Sequence, residues 1–151
     1  MAQTTAAVNG VASTVSIKVG AGSYVDISGA TQSVDAATAT VMNSDTYTLD
    51  GSGAIILLGK YEPVDVTVNI LYTETITTEP FMVAQGAFAA KSAVQIKWVP
   101  RGAGSGANTI ETAATGYITS FDYPAVDASS ADALMVSFTV RCPAITYTDV
   151  A

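Results

Sequence analysis

There is no histidine in these 151 residues, and that absence removes the His-based catalytic triads, the usual zinc sites and most other metal centres. Only one cysteine, Cys142, is present, so an intrachain disulfide is excluded and the redox compartment stays open. Cys142 continues the apolar row of a strand pattern and reads as a buried, inert thiol rather than a nucleophile. Lysine and arginine together number six, too few for a tight nucleic-acid binder or a basic membrane-surface protein. No aliphatic run is long enough to span a bilayer. The N-terminal stretch has neither a basic region nor an apolar core, so no secretory signal is expected. Charge of either sign is scarce, at 13% of the chain against a usual value of about 25%. A free monomer normally coats itself with charge. A chain with this deficit and a mean hydropathy of +0.37 is expected to hide part of its surface against other copies of itself.

The charge that is present is acidic, with a net −7 and a pI near 4.1. This suits a soluble particle, or a surface that must not adhere to DNA. The four Glu and nine Asp are scattered over turns and one polar strand face, and nothing arranges them as a glycosidase-like pair in a cleft. Gly102-Ala103-Gly104-Ser105-Gly106 has no Lys-Ser or Lys-Thr behind it and no helix opening after it, so it reads as a plain loop rather than a phosphate cradle. Asp45, Asp50 and Gly51 lack the alternating ligands of an EF-hand and read as a turn. No enzyme activity, cofactor or metal is expected.

What the chain has in abundance is two-residue periodicity. Val64, Val66, Val68, Ile70 and Tyr72 alternate with Asp65, Thr67, Asn69 and Thr73, the pattern of a strand with one dry and one wet face. Leu134, Val136, Phe138, Val140 and Cys142 alternate with Met135, Ser137, Thr139 and Arg141 in the same way. Shorter strands are expected at Thr14–Val19, Ser23–Ser28, Ala93–Val99 (Val94, Ile96 and Trp98 against Gln95 and Lys97) and Gly116–Tyr123 (Tyr117, Thr119, Phe121 and Tyr123 against Ile118, Ser120 and Asp122). Ala144–Val150 extends an edge. The run Ile55-Ile56-Leu57-Leu58 reads as a short strand buried on both faces. One helix is expected over 79–91, opened by Thr78 as cap with Glu79 and Pro80 in the first turn, and docked by Phe81, Ala84 and Phe88. Residues 1–13 read as an arm and 30–53 as a long intersubunit loop, an extended arm or hairpin that packs on something outside its own core, since neither has a core-facing period. The expected architecture over 1–151 is a single domain, mainly β: a two-sheet β-sandwich or half-barrel of seven or eight strands flanked by one α-helix.

Three stretches carry a resemblance: Tyr24-Val-Asp-Ile-Ser-Gly29; Gly59-Lys-Tyr-Glu-Pro-Val-Asp-Val-Thr-Val-Asn-Ile-Leu-Tyr72 running into Thr78-Glu-Pro-Phe81; and Gly116-Tyr-Ile-Thr-Ser-Phe121 leading through Asp132–Val140. Together, across residues 14–148, they resemble the tail tube (major tail) proteins of long-tailed bacteriophages. The resemblance implies hexameric rings stacked into a tube through which double-stranded DNA passes without specific binding. It also implies a place in the virion tail after assembly in the host cytoplasm, with a tape measure protein, a tail terminator and baseplate or tip proteins as partners. The C-terminal Ig-like domain of some members is not expected in this chain. On this footing the polar rows Asp65, Thr67, Asn69, Gln95, Lys97, Ser120, Asp122, Ser137, Thr139 and Arg141 would line the lumen. Val41, Met42, Tyr47 and Leu49 would make intersubunit contacts. A type VI secretion-like tube protein shares these features. The rival class is an acidic β-sandwich binding module, such as a capsid decoration or adhesin domain.

Overall fold

The structure, a computed structural model, describes residues 3–4, 7–102 and 106–149. Parts of the expected arm (1–2 and 5–6), the centre of the Gly-rich loop (103–105) and residues 150–151 lie outside the described residues. The described chain is mainly β, as the alternation demands. Two antiparallel sheets face each other across the core, and a third, two-stranded ribbon stands apart from them.

The first sheet contains β1 (Thr14–Val19), β2 (Val25–Asp26), β7 (Val94–Val99), β8 (Thr109–Thr112) and β11 (Ile145–Thr148), in the order β11-β8-β7-β1-β2. The second contains β3 (Thr31–Val34), β6 (Val64–Leu71), β9 (Tyr117–Phe121) and β10 (Met135–Cys142), in the order β3-β6-β10-β9. β6 and β10, the two long amphipathic strands of the sequence, pair over their whole length from Met135–Leu71 to Cys142–Val64. Their shared register puts Val66, Val68, Ile70, Phe138 and Val140 on one face, all buried. β1 and β7 answer with Val15, Ile17, Val94 and Ile96, so the core lies between the sheets.

The helix α1 (Pro80–Ala90) lies against β9 and β6. Its boundary agrees with the sequence within a residue, but its cap differs: Glu79, not Thr78, is the N-cap residue, and its side chain makes no capping bond. The Glu79 carboxylate accepts a hydrogen bond from Thr73 Oγ1 at 2.8 Å instead. Phe81 meets Tyr72 edge-on at 4.7 Å and lies 5.4 Å from Phe121, and Phe88 stacks on Phe121 at 5.7 Å. These aromatic contacts seal the sandwich on that side. The turn after the helix places Lys91 in the left-handed region at φ 53°.

Eleven strands are present among the described residues, against the seven or eight expected. Three short elements account for much of the difference. β3 was hidden in a Ser- and Thr-rich stretch. β8 is four residues long with no alternation in its composition, and Thr112 completes its pairing with a side chain: the hydroxyl accepts the Ile96 N–H at 2.9 Å. β4 (Val41–Thr46) lies inside the segment read as a loop and pairs with β5 (Ile55–Tyr61) in a hairpin. The expectation for Ile55–Leu58 fails here. β5 is a strand, but every residue in it is exposed rather than buried on both faces. The second expected strand also shrinks, from Ser23–Ser28 to Val25–Asp26.

Candidate assembly surfaces

The wet face of the four-stranded sheet gathers eight of the ten residues expected to line a channel. On β6 and β10, Asp65 sits opposite Arg141, Thr67 opposite Thr139, and Asn69 opposite Ser137. Arg141 Nη1 donates to both Asp65 oxygens, at 3.1 and 3.2 Å. The Thr67 and Thr139 hydroxyls share a hydrogen bond of 2.9 Å across the strands. Ser137 Oγ donates to Asp122 Oδ2 at 2.6 Å, and Ser120 lies beside Thr139. The face is therefore a crosslinked polar ladder rather than loose side chains.

β9 reaches this face by an irregularity that strict alternation cannot foresee. The pairing with β10 slips between Thr139 and Val140, so that Thr139 faces Ser120 and Val140 faces Ile118. A bulge adds one unpaired residue and reverses the facing of everything beyond it. Ile118, grouped by alternation with Ser120 and Asp122, is buried in the core, while Tyr117 turns outward beside Arg141. Two members of the face had no sequence signal, because β3 itself had none: Asn69 Nδ2 donates to Ser33 Oγ at 2.9 Å and to Asp35 Oδ1 at 3.0 Å.

Gln95 and Lys97 do not join them. They lie on the outer face of the five-stranded sheet, where Gln95 Nε2 donates to the Thr112 carbonyl at 3.0 Å. Lys97 Nζ lies 4.2 Å from the centre of the Tyr24 ring, a cation–π contact. The Tyr24 hydroxyl donates to Glu111. Burial, the bond to Glu111 and that carboxylate's charge together push the Tyr24 pKa well above the ordinary phenol value. The two rows were alike in sequence because each alternates with apolar residues. They belong to opposite outer faces of the sandwich.

The second surface is the hairpin. Val41 is half-buried, but Met42, Tyr47 and Leu49 are exposed, and they are joined by Ile55, Ile56, Leu57, Leu58 and Tyr61. Leu58 is 73% exposed and Ile56 66%. The register alternates the β5 side chains between the ribbon's two sides: Leu58 and Ile56 pair with Asn43 and Asp45, while Leu57 and Ile55 pair with Ser44 and Thr46. Over residues 43–46 β4 is thus polar on both sides, and over residues 55–58 β5 is apolar on both sides.

Neither surface resembles a reaction centre. A cavity of about 570 Å³ opens beside β3 and is lined by Ser13, Ser28, Thr31, Gln32, Trp98, Pro100 and neighbours, with no titratable side chain among them. Among the described residues no group of three or more His, Cys, Asp or Glu could hold a metal ion, and no helix is long and apolar enough to cross a membrane. The Cys142 thiol is buried, its pKa pushed up by that burial.

No family model matches the sequence, and no curated protein matches it. Solved structures do match. A chain in the 6-fold symmetrised structure of the anti-feeding prophage (AFP) baseplate superposes with a TM-score of 0.75 at 12% identity, over 99% of both chains. A chain in the tail of an empty GTA particle, refined with C6 symmetry, gives 0.67 at 14% identity, over 96% of this chain and 100% of that one. A chain in the sheath/tube terminator of an extracellular contractile injection system, PVC, in its extended state, gives 0.65 at 17%, over 89% and 92%. At such identities the likeness is one of fold, and it extends over nearly the whole chain.

Proposed function

We propose that this chain is a structural subunit of a tail-like tube. It assembles by burying its exposed hairpin against other copies, with the wet face of the four-stranded sheet turned to a central channel. The observation that carries the reading is the pairing of two surfaces on one small fold: an apolar ribbon left open by the monomer, and a flat polar ladder on the opposite layer from the Lys97–Tyr24 face. The full-length likeness in fold to chains of 6-fold and C6 assemblies supports it.

In this reading six copies form a ring, and each contributes the four strands β3, β6, β10 and β9. About twenty-four strands spaced at about 4.8 Å and tilted near 40° close a barrel roughly 45–50 Å across its backbone. That leaves room for a DNA duplex within the side chains. The lining is Asp65, Thr67, Asn69, Ser120, Asp122, Ser137, Thr139 and Arg141, joined by Ser33 and Asp35. Short neutral groups dominate, and the carboxylates of Asp35, Asp65 and Asp122 outnumber the single guanidinium of Arg141. Passing phosphates meet no row of cations that would hold them by releasing counterions. Rings stack, the tube belongs to the tail of a virion or virion-like particle, and a genome leaves through it. Val41, Met42, Tyr47 and Leu49 take part in the contacts between copies.

Light scattering across a concentration series, with negative-stain images of the same samples, tests the proposal. Rings or filaments appearing as concentration rises are expected. A strictly monomeric species at millimolar concentration, with neither form in the images, would contradict it and favour a monomeric binding module.

A further inference from the structure

The two sheets part at one margin. There β3 is an edge strand, and Val15 and Trp98, paired across β1 and β7, line the same gap from the other sheet. The gap is the cavity of about 570 Å³, a size usual for a small-molecule site, about 300–1,000 Å³. Its wall is anchored. The 3₁₀ turn Gly10–Ala12 borders it, Ser13 Oγ donates to the Pro100 carbonyl at 2.8 Å, and any side chain at Gly102 would collide with the Ala12 carbonyl. β3 supplies an independent sign. Its register on β6 slips between Thr31 and Ser33, which makes Gln32 the extra residue of a bulge. Bulges re-aim side chains and gather beside functional sites. Gln32 lines the cavity, and its exposed amide makes no hydrogen bond to any described residue.

We propose that this cavity binds a neutral saccharide of about one or two rings, with Trp98 as the platform on which a ring stacks. The lining selects the class. It holds no titratable side chain, and its Ser28 hydroxyl is already bonded to the Asp26 carboxylate, so an anion would meet no counter-charge. An apolar guest would strip water from the hydroxyls and from Gln32 without replacing those hydrogen bonds. An extended peptide would need an unbroken ladder on the edge of β3, which the bulge interrupts. A saccharide meets each demand. Its C–H face suits the electron-rich face of the indole, and its hydroxyls both donate and accept. Ser13 and Thr31 spend their protons on the Pro100 and Ile27 carbonyls and keep lone pairs to accept with. Ser33 accepts from Asn69 and keeps its proton to donate, and Gln32 can do both. This site goes beyond the tube reading and does not depend on it.

Trp98 is the only tryptophan in the sequence, so its emission reports on the cavity directly. The test titrates the dilute full chain with maltose, cellobiose and N,N′-diacetylchitobiose, with glucuronic acid and octaproline as the charged and peptide controls. At least one neutral disaccharide should shift the emission saturably, with a Kd of millimolar order. Gln32→Ala alters an exposed side chain, so the urea midpoint should hold while the affinity falls about five- to tenfold. No saturable shift with any of the three sugars up to about 100 mM would overturn the proposal. So would a shift of equal strength in Gln32→Ala, which would mark an effect of the solvent rather than of the site. Binding of octaproline alone would make the cavity a peptide groove, and glucuronic acid binding as tightly as the neutral sugars would refute the choice of class. Self-assembly, read by light scattering, stands or falls separately from all of these.

Discussion

Replacing Thr67 and Thr139 by lysine changes the polar ladder at its centre. The two hydroxyls are 2.9 Å apart, so the variant loses one net hydrogen bond, worth about 0.5–1.5 kcal/mol. It also sets two ammonium groups on directly paired positions, a cost of about 0.2–1 kcal/mol. A fold of ordinary stability, about 5–15 kcal/mol, survives a loss of roughly 1–2.5 kcal/mol. The electrostatic change is larger in kind. Per copy, three carboxylates against one guanidinium leave two net negative charges on this face, and two added lysines bring that to zero. In a six-membered ring the channel moves from about twelve net negative charges to about none, with about twelve new cations facing inward. Co-sedimentation of a short labelled duplex with assembled tubes, titrated with salt, reads the outcome. Wild-type tubes should retain no duplex. Variant tubes should retain it at low salt and release it as salt rises, with a slope of about 0.9 per phosphate engaged. Variant tubes that form normally and ignore DNA would refute the placing of this face in the channel. So would a variant monomer of near-normal stability that no longer forms rings, since that would put Thr67 and Thr139 in a contact between copies.

Three further outcomes follow from the packing. Phe138 is buried to 1% exposure and stacks at 6.4 Å on Phe121, so Phe138→Ala should lower the unfolding free energy by about 3–5 kcal/mol in urea titration; a loss under 1 kcal/mol would show that the core can collapse around the gap. Tyr24 should contribute a component that ionises well above the ordinary phenol value in an ultraviolet titration, and Tyr24→Phe should remove it. Because its folded pKa is raised, its stabilising contribution is complete below about pH 10 and is lost as pH climbs through the folded value; identical titrations of wild type and variant would contradict the bond to Glu111. Cys142 should react with a thiol reagent only after denaturant is added, and stoichiometric labelling of the native protein would contradict its burial.

The long strands were legible because residues with two faces declare them. β6 and β10 form over the residues whose alternation marks them as strands, and α1 starts and stops within a residue of its Pro and Lys signals. Alternation cannot report which sheet a strand joins, so Gln95 and Lys97 looked equivalent to Asn69 and Thr139 until the pairing of β7 with β1 separated them. A bulge leaves no periodic trace, and Ile118 and Tyr117 exchanged faces for that reason. β3 and β8 are four residues each, too short for a period. The β5 pattern was read correctly as apolar on both sides. The burial expected on both of its faces is not found: every residue of β5 is exposed, because nothing else in the described chain covers it.

The most direct measurement is a helical cryo-EM reconstruction of the assembled protein. Six-fold rings are expected, with a channel walled by β3, β6, β10 and β9, Thr67 and Thr139 pointing into the lumen, and the β4–β5 hairpin buried against neighbouring copies. A channel walled by the five-stranded sheet, with Gln95 and Lys97 facing the lumen, would contradict this arrangement.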